Sequence, residues 1–241
     1  MDVPDGFDEL VDGAWPAAYA EPIGGWRARY AEGVTKRANS VLCTGDPGEV
    51  TTAIEAAERF YAGRGLPAVF QVSGAARPPR LDGLLAGRGY TLVDPTLVMV
   101  RELQHTRPDS RVVIGDAPTP RWLGLWWSVD GRYGTGLPAA ERILTGVPAW
   151  YASIEEDGAL LATGRAVPQG EWLGIYAMTV APAARRRGLG REVLRALLAR
   201  GRDQGRTRAY LAVVESNTAA RALYEREGFR IAGRYHYRVR P

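Results

Sequence analysis

Between Val180 and Gly201 the chain reads VAPAARRRGLGREVLRALLARG, so that Arg185, Arg186, Arg187 and Arg191 surround Gly188, Leu189 and Gly190 just ahead of an amphipathic run. A strand that passes into a helix through glycines leaves several N–H groups unpaired, and the helix macrodipole adds partial positive charge at the same point. Such a junction binds anions. Gly188 and Gly190 allow close approach and positive φ, and each charge-assisted hydrogen bond to a phosphate oxygen is worth about 1.5–3 kcal/mol. The turn lacks the Gly-Lys-Ser/Thr of a nucleotide-triphosphate loop, and Gly-x-Gly alone is a weak signal. A second pair follows downstream. Asn217 and Tyr224 are seven residues apart, which on a helix places them within about 20° on one face and about 10 Å along it. Both can face one ligand, and a phenol with a pKa near 10 holds its proton at neutral pH.

These residues need a strand before them and helices beneath them, and the last third of the chain supplies both. EWLGIYAMTV (171–180) reads as a strand, ended at Pro182 by the loss of a backbone donor. Leu189, Val193, Leu194, Leu197 and Leu198 then recur at helical spacing, with Gly201 or Gly205 as the stop. RAYLAVVES is a strand, SNTAARALYEREG a helix capped by Ser/Asn and closed on Gly228, and FRIAGRYHYRV a final strand or hairpin. Upstream, SRVVIGD reads as a strand, TPRWLGLWWSVDG and PAAERILTG as helices, and AWYASIEEDGALLATGRAV as a hairpin turning at Asp157-Gly158. Residues 110–241 therefore form a mixed α/β domain. The first hundred residues hold a fainter echo: LDGLLAGRGYTLVDPTLVMVR aligns with ARALYEREGFRIAGRYHYRVR through Leu84 with Leu223, Gly89 with Gly228 and Tyr90 with Phe229. An internal duplication is the reading, with 1–105 a degenerate copy, 110–241 the copy that keeps the arginine-glycine turn and HTRPDS (105–110) the linker.

The 241 residues carry 31 basic and 27 acidic side chains, a net charge of +4. The charge is uneven: from Arg185 onward 15 arginines face five acids, leaving residues 1–184 net negative. A polyphosphate site, a nucleic-acid surface and a solvated Arg-rich face all fit this tail. Lys36 is the single lysine, a compositional bias that weakens any phosphate argument from arginine count alone. The acidic N-terminus is no signal peptide and no segment has the apolar length to span a bilayer. Cys43 is the single cysteine, so there is neither an internal disulfide nor a multi-thiolate metal site. A cytoplasmic protein follows by default.

VAPAARRRGLG resembles the V-x-P-x-x-[RQ]-x-x-G-x-[GA] signature of the GNAT superfamily of acyl-CoA N-acyltransferases, and SNTAARALYEREGF resembles the helix and glycine-aromatic step that follow it there. The resemblance covers about 110–241 with both motifs at the family's spacing, while 1–105 looks like the degenerate first half of tandem GNAT proteins. It implies a GNAT α/β fold and acetyl-CoA as co-substrate, with no metal. The N–H groups of Arg187 to Arg191 would cradle the pyrophosphate and Arg185 and Arg186 would add charge. The backbone of Met178, Thr179 and Val180 would pair with pantetheine as an added strand does, and Asn217 would bond the cofactor arm. Tyr224 would protonate the departing CoA thiolate, whose own conjugate acid has a pKa near 8.5.

The acceptor amine must lose its proton to attack. In the ribosomal-protein alanine acetyltransferases a glutamate five residues before the asparagine is the base; here that position is Ala212, which puts a protein N-terminus in doubt as acceptor. Glu141, Glu155, Glu156 and Glu171 are possible replacements, none favoured. Trp122, Trp126 and Trp127 stand where the superfamily lines its acceptor side, and one of the adjacent pair Trp126 and Trp127 either lines a pocket for an aromatic or cationic amine or packs in the core. The negative balance of residues 1–184 mildly favours a cationic acceptor. His105, His236 and Cys43 read as structural or incidental. The expected function is acetyl transfer to a primary amine of a small molecule, with no nucleic acid or membrane as partner. Protein lysine or N-terminal acetylation is the alternative, as is a non-catalytic acyl-CoA- or nucleic-acid-binding module.

Overall fold

The computed structural model describes residues 6–104, 111–130 and 136–240. The linker reading at 105–110, with His105, falls outside them. In chain order the elements are α1 (Phe7–Ala14), β1 (Tyr19–Ile23), β2 (Trp26–Tyr30), a 3₁₀ turn (Lys36–Ala38), β3 (Val41–Leu42), α2 (Val50–Ala62), β4 (Val69–Ser73), α3 (Leu81–Gly87) and β5 (Thr91–Glu102). Then come β6 (Val113–Gly115), α4 (Pro120–Asp130), α5 (Leu137–Thr145), β7 (Trp150–Glu156), β8 (Ala159–Gln169), β9 (Trp172–Val180), a 3₁₀ turn (Pro182–Ala184), α6 (Leu189–Asp203), β10 (Arg208–Val214), α7 (Thr218–Arg226) and β11 (Arg230–Val239). From β6 onward this is the order read from the sequence. The last segment is one strand, not a hairpin.

The strands of the described residues form a single mixed sheet in the order β1-β2-β3-β4-β11-β5-β10-β9-β8-β7-β6. The two halves interleave. β5, from the first half, lies antiparallel between β10 and β11, while β11 crosses to pair with β4. The β5–β11 ladder has local two-fold character, because Thr91 faces Val239 at one end and Val100 faces Arg230 at the other. The helix, glycine, aromatic and strand units that echo one another in sequence thus exchange their strands.

Side-chain alternation sends Leu97 and Met99 of β5 into the cluster under α6 and α7, and Val98 and Val100 into the cluster under α1, α4 and α5. Leu189, Val193, Leu194, Leu197 and Leu198 form the buried face of α6, as their spacing predicts. The β7–β8 hairpin turns at Asp157 and Gly158, both at positive φ as a two-residue turn of this kind requires. At the N-terminal end, the buried Arg29 guanidinium bonds Asp12 at 2.9 Å, Gln71 at 2.9 Å and the Ser40 hydroxyl at 2.8 Å, and so ties α1 to β2 and β4. No helix among the described residues is long and apolar enough to cross a membrane.

Candidate active site

Two strands that part within a sheet create the site. β9 and β10 run parallel from the Arg208–Trp172 pair to the Leu211–Ile175 pair, and their pairing stops there. β9 continues to Val180, still bonded to β8 on its other side, and β10 continues to Val214 against β5. Each therefore has a free backbone edge facing the other. The cause is local: the β8–β9 register shifts between Thr163 and Arg165, and Ala177 on β9 takes φ 49°. A bulge of this kind bends its strand and terminates pairing on one edge.

The parted strands open into a cavity of about 1250 Å³. It is lined by Met178, Thr179 and Val180 of β9, by Arg185, Arg186, Gly188, Leu189, Gly190 and Arg191 of the turn into α6, and by Asn217 and Tyr224 of α7. Arg187 alone of the sequence-predicted set is not on the wall; its side chain turns to Glu156 on the hairpin. Arg191 is also engaged, bonded with Arg195 to Glu227. Burial raises the Glu227 carboxyl, but its hydrogen bonds from the two arginines hold it below its ordinary range. Arg185 and Arg186 are exposed and carry no ion pair among the described residues.

At the helix start, Gly188 is the N-cap of α6 in the left-handed region, with φ 85°. Arg186, at φ 66°, is left-handed too. Gly190 differs from the sequence expectation: it sits inside the first helical turn without positive φ, and a Cβ there would meet Val180 at an ordinary 3.4 Å. Its N–H and that of Leu189 have no carbonyl one turn back to bond. Arg191 N–H is satisfied by Gly188 O at 2.9 Å. Asn217 Oδ1 caps α7 through Ala220 N–H at 3.2 Å, which leaves its amide N–H groups for a ligand. Tyr224 is buried against Phe229, and burial alone pushes its hydroxyl up to about 12.

Much of the remaining wall comes from the first half of the chain, where the sequence offers no motif. Trp15, Thr35, Lys36, Arg37, Asp94 and Thr96 line the cavity, joined by Tyr176 of β9 and by Tyr235 and Tyr237 of β11. Asp94 is the one carboxylate on this wall among the described residues, and Lys36 Nζ lies 3.0 Å from it. The glutamates considered as bases lie elsewhere: Glu155 pairs with Arg121, Glu156 with Arg187, and Glu171 with Arg208. Glu141 sits on the exposed side of α5. Ala212 does line the cavity, so the base found at that position in ribosomal-protein enzymes has no counterpart there.

Trp126 lines the cavity and is also core, while Trp122 is core alone, donating to Ala152 O at 2.9 Å. Trp127 is half-buried against Trp126. His236 bonds Asp82 at 2.7 Å, and Cys43 is buried away from the site. The cationic acceptor suggested by the negative charge of residues 1–184 is not matched by this wall, where Lys36, Arg37, Arg185 and Arg186 outnumber Asp94.

The family described as "Probable histone acetyltransferase Rv0428c C-terminal" matches residues 10–238. An uncharacterized N-acetyltransferase, YobR of Bacillus subtilis, is 30% identical over 242 residues, covering 97% of each chain. A probable histone acetyltransferase, Rv0428c of Mycobacterium tuberculosis, is 30% identical over 98% of this chain and 72% of its own length. A mycothiol acetyltransferase of Beutenbergia cavernae is 42% identical over 81 residues, a third of this chain. Among solved structures, a GCN5-related N-acetyltransferase from Kribbella flavida superposes with a TM-score of 0.73 at 17% identity, covering 100% of this chain and 96% of that one. A tandem GNAT protein from the clavulanic acid biosynthesis pathway gives 0.60 at 16% identity over 79% of this chain and 67% of its own.

Proposed function

Because this chain belongs to the GNAT superfamily of N-acetyltransferases, we propose that it carries an acetyl group from acetyl-CoA to the primary amine of a small molecule, by direct attack. One observation carries this reading: β9 and β10 part immediately beside the Arg185–Gly190 turn, and Tyr224 opens on the same cavity.

The residues present fit acetyl-CoA. Gly188, with the unpaired N–H groups of Leu189 and Gly190, offers donors to a pyrophosphate at a helix N-terminus. Arg185 and Arg186, free of ion pairs among the described residues, add charge. The free edge of β9 from Ala177 to Val180 offers strand-like hydrogen bonds to pantetheine, and the Asn217 amide N–H groups a further one.

When bound, acetyl-CoA supplies an activated thioester carbonyl. The chain would polarise its oxygen through backbone N–H groups on the free β9 edge, Val180 or a neighbour. Tyr224 would hold a proton at its hydroxyl for the leaving sulfur. With its pKa raised, it stays a hydrogen-bond donor at every physiological pH. Asp94 is the wall's candidate to accept the amine's proton through water.

The names of the relatives divide between histones and mycothiol. A small acceptor is favoured because Trp15 and the Thr35–Arg37 segment, from the first half, wall the cavity beside the parted strands. The test is CoA release with acetyl-CoA and a panel of amino acids, aromatic amines, polyamines, aminoglycosides and basic peptides, with the N-acetyl product identified by mass. Product from a small amine supports the reading. Product from peptides alone would transfer it to protein substrates.

A further inference from the structure

The part of the cavity wall built by the first half is rich in hydrogen-bond donors and poor in acceptors. Arg37 lines it, and its closest partner is the Tyr235 hydroxyl at 3.5 Å from Nη2. Arg37 Nε is buried without any partner, and so is the indole Nε1 of Trp126 on the same wall. Arg37 makes no ion pair among the described residues. A buried donor left unmatched is costly, and the cost is recovered when a ligand supplies the acceptor.

The rings beside Arg37 are already loaded with positive charge. Trp15 and Tyr176 form a tilted pair with centroids 5.7 Å apart. Arg37 Cζ lies 5.3 Å from the Trp15 ring and 5.6 Å from Tyr176. Arg165, fully buried, lies 5.7 Å and 5.8 Å from the same two rings, with Nε and Nη2 unpartnered and Nη1 donating to Ala14 O. Two guanidiniums therefore occupy the aromatic pair that would otherwise receive a ligand cation. The other charged groups that the first half brings to the wall, Lys36 and Asp94, offset each other.

Taking the cavity as the acetyl-transfer site proposed above, we propose that the acceptor is an amine that also carries a carboxylate, with the carboxylate held by the Arg37 guanidinium. A guanidinium fork matches a carboxylate better than any other side chain does. Tyr235 and Tyr237, which also line the cavity, suit an apolar or aromatic body between the two functional groups. Basic peptides and polyamines are disfavoured, because they bring a further cation to a wall with no carboxylate to spare.

Two assays test this in the full-length protein. In the first, initial rates of CoA release are compared for phenylalanine with phenylalaninamide, tryptophan with tryptophanamide, and spermidine. The amide's amine is the less basic and so the more fully deprotonated, which works against the predicted order. In the second, which needs no turnover, phenylacetate, indole-3-acetate and their carboxamides are titrated calorimetrically into the CoA-saturated protein. Loss of one charge-assisted hydrogen bond corresponds to about tenfold or more, so each carboxylate is expected to exceed its carboxamide by at least about that factor. Arg37→Gln should bring each pair to near equality while leaving CoA affinity unchanged, and Arg37→Lys, which keeps the charge and loses the fork, should narrow the gap. Carboxamides or spermidine matching the carboxylates, or a preference that survives Arg37→Gln, would overturn the proposal. Failure of the wild type to bind CoA is a separate result and would remove the transferase site on which the proposal rests.

Discussion

Thr96 of β5 pairs with Tyr235 of β11, and both residues line the cavity. Each stands six positions after the aromatic residue, Tyr90 or Phe229, that follows the glycine closing its helix. The centre of the internal two-fold and one wall of the site coincide. The first half is therefore part of the same sheet as the second and of the cavity it opens into.

Truncation should show this directly. A fragment of residues 110–241 lacks β5 and leaves β10 and β11 with unpaired edges, which are templates for aggregation. It should be insoluble or unfolded by circular dichroism. A soluble, monomeric and fully active fragment would show that the interleaved sheet is dispensable.

Removing Arg29 should destabilise the whole chain. Its side chain is 1% exposed and satisfies Asp12, Ser40 and Gln71 at once. Arg27 still pairs with Asp12, but the buried Gln71 and Ser40 oxygens lose their donor, and Arg29→Ala should cost about 3 kcal/mol or more in urea denaturation. A shift under about 1 kcal/mol would mean that water replaces the guanidinium without penalty.

A second contact between the halves gives a pH signature. Asp82 of α3 accepts from Arg238 and His236 of β11, and these bonds, Arg238 first, hold its carboxyl at about 2. A carboxyl whose folded pKa is depressed adds stability above its unfolded pKa, and this is lost as the pH falls through the folded value. Asp82 is 40% exposed, so solvent screening limits the contribution to about 1 kcal/mol. Asp82→Asn should lower the melting temperature at pH 7 and have progressively less effect from about pH 4 down to about pH 2. An undiminished difference at the acid end would assign the effect to packing.

Tyr224→Phe should lower kcat by about 10²-fold and leave the Kd for acetyl-CoA nearly unchanged, since the ring stays against Phe229. With the hydroxyl at about 12, the wild-type rate should climb as the acceptor amine deprotonates. No loss from Tyr224 ionisation should appear below about pH 10. An equal loss in CoA binding would make Tyr224 a packing residue.

The elements from Val113 onward were legible because each carries its own local signal: leucine spacing in α6, the Asp-Gly turn of the hairpin, and Gly228 after α7. That the residues proposed for the cofactor would share one cavity was legible for the same reason, since they come from one contiguous turn, the end of β9 and one helix. The acceptor side was not. Arg37, Asp94 and Trp15 lie far from Tyr224 in sequence and meet it only through the crossing of β5 and β11, which is a long-range pairing without periodicity of its own. The echo of Leu84, Gly89 and Tyr90 in Leu223, Gly228 and Phe229 was the one trace of it. The paired glutamates of the hairpin could not be placed from sequence, because surface carboxylates beside arginines look alike whether they face a cleft or solvent.

The most direct test of the central claim is a crystal structure of the protein with CoA. The pyrophosphate is expected against the N–H groups of Gly188 to Gly190 with Arg185 and Arg186 beside it, pantetheine along β9 from Ala177 to Val180, and the thiol within hydrogen-bond reach of the Tyr224 hydroxyl. CoA bound elsewhere, or in this cleft with its sulfur remote from Tyr224, would contradict the site and the role given to that residue.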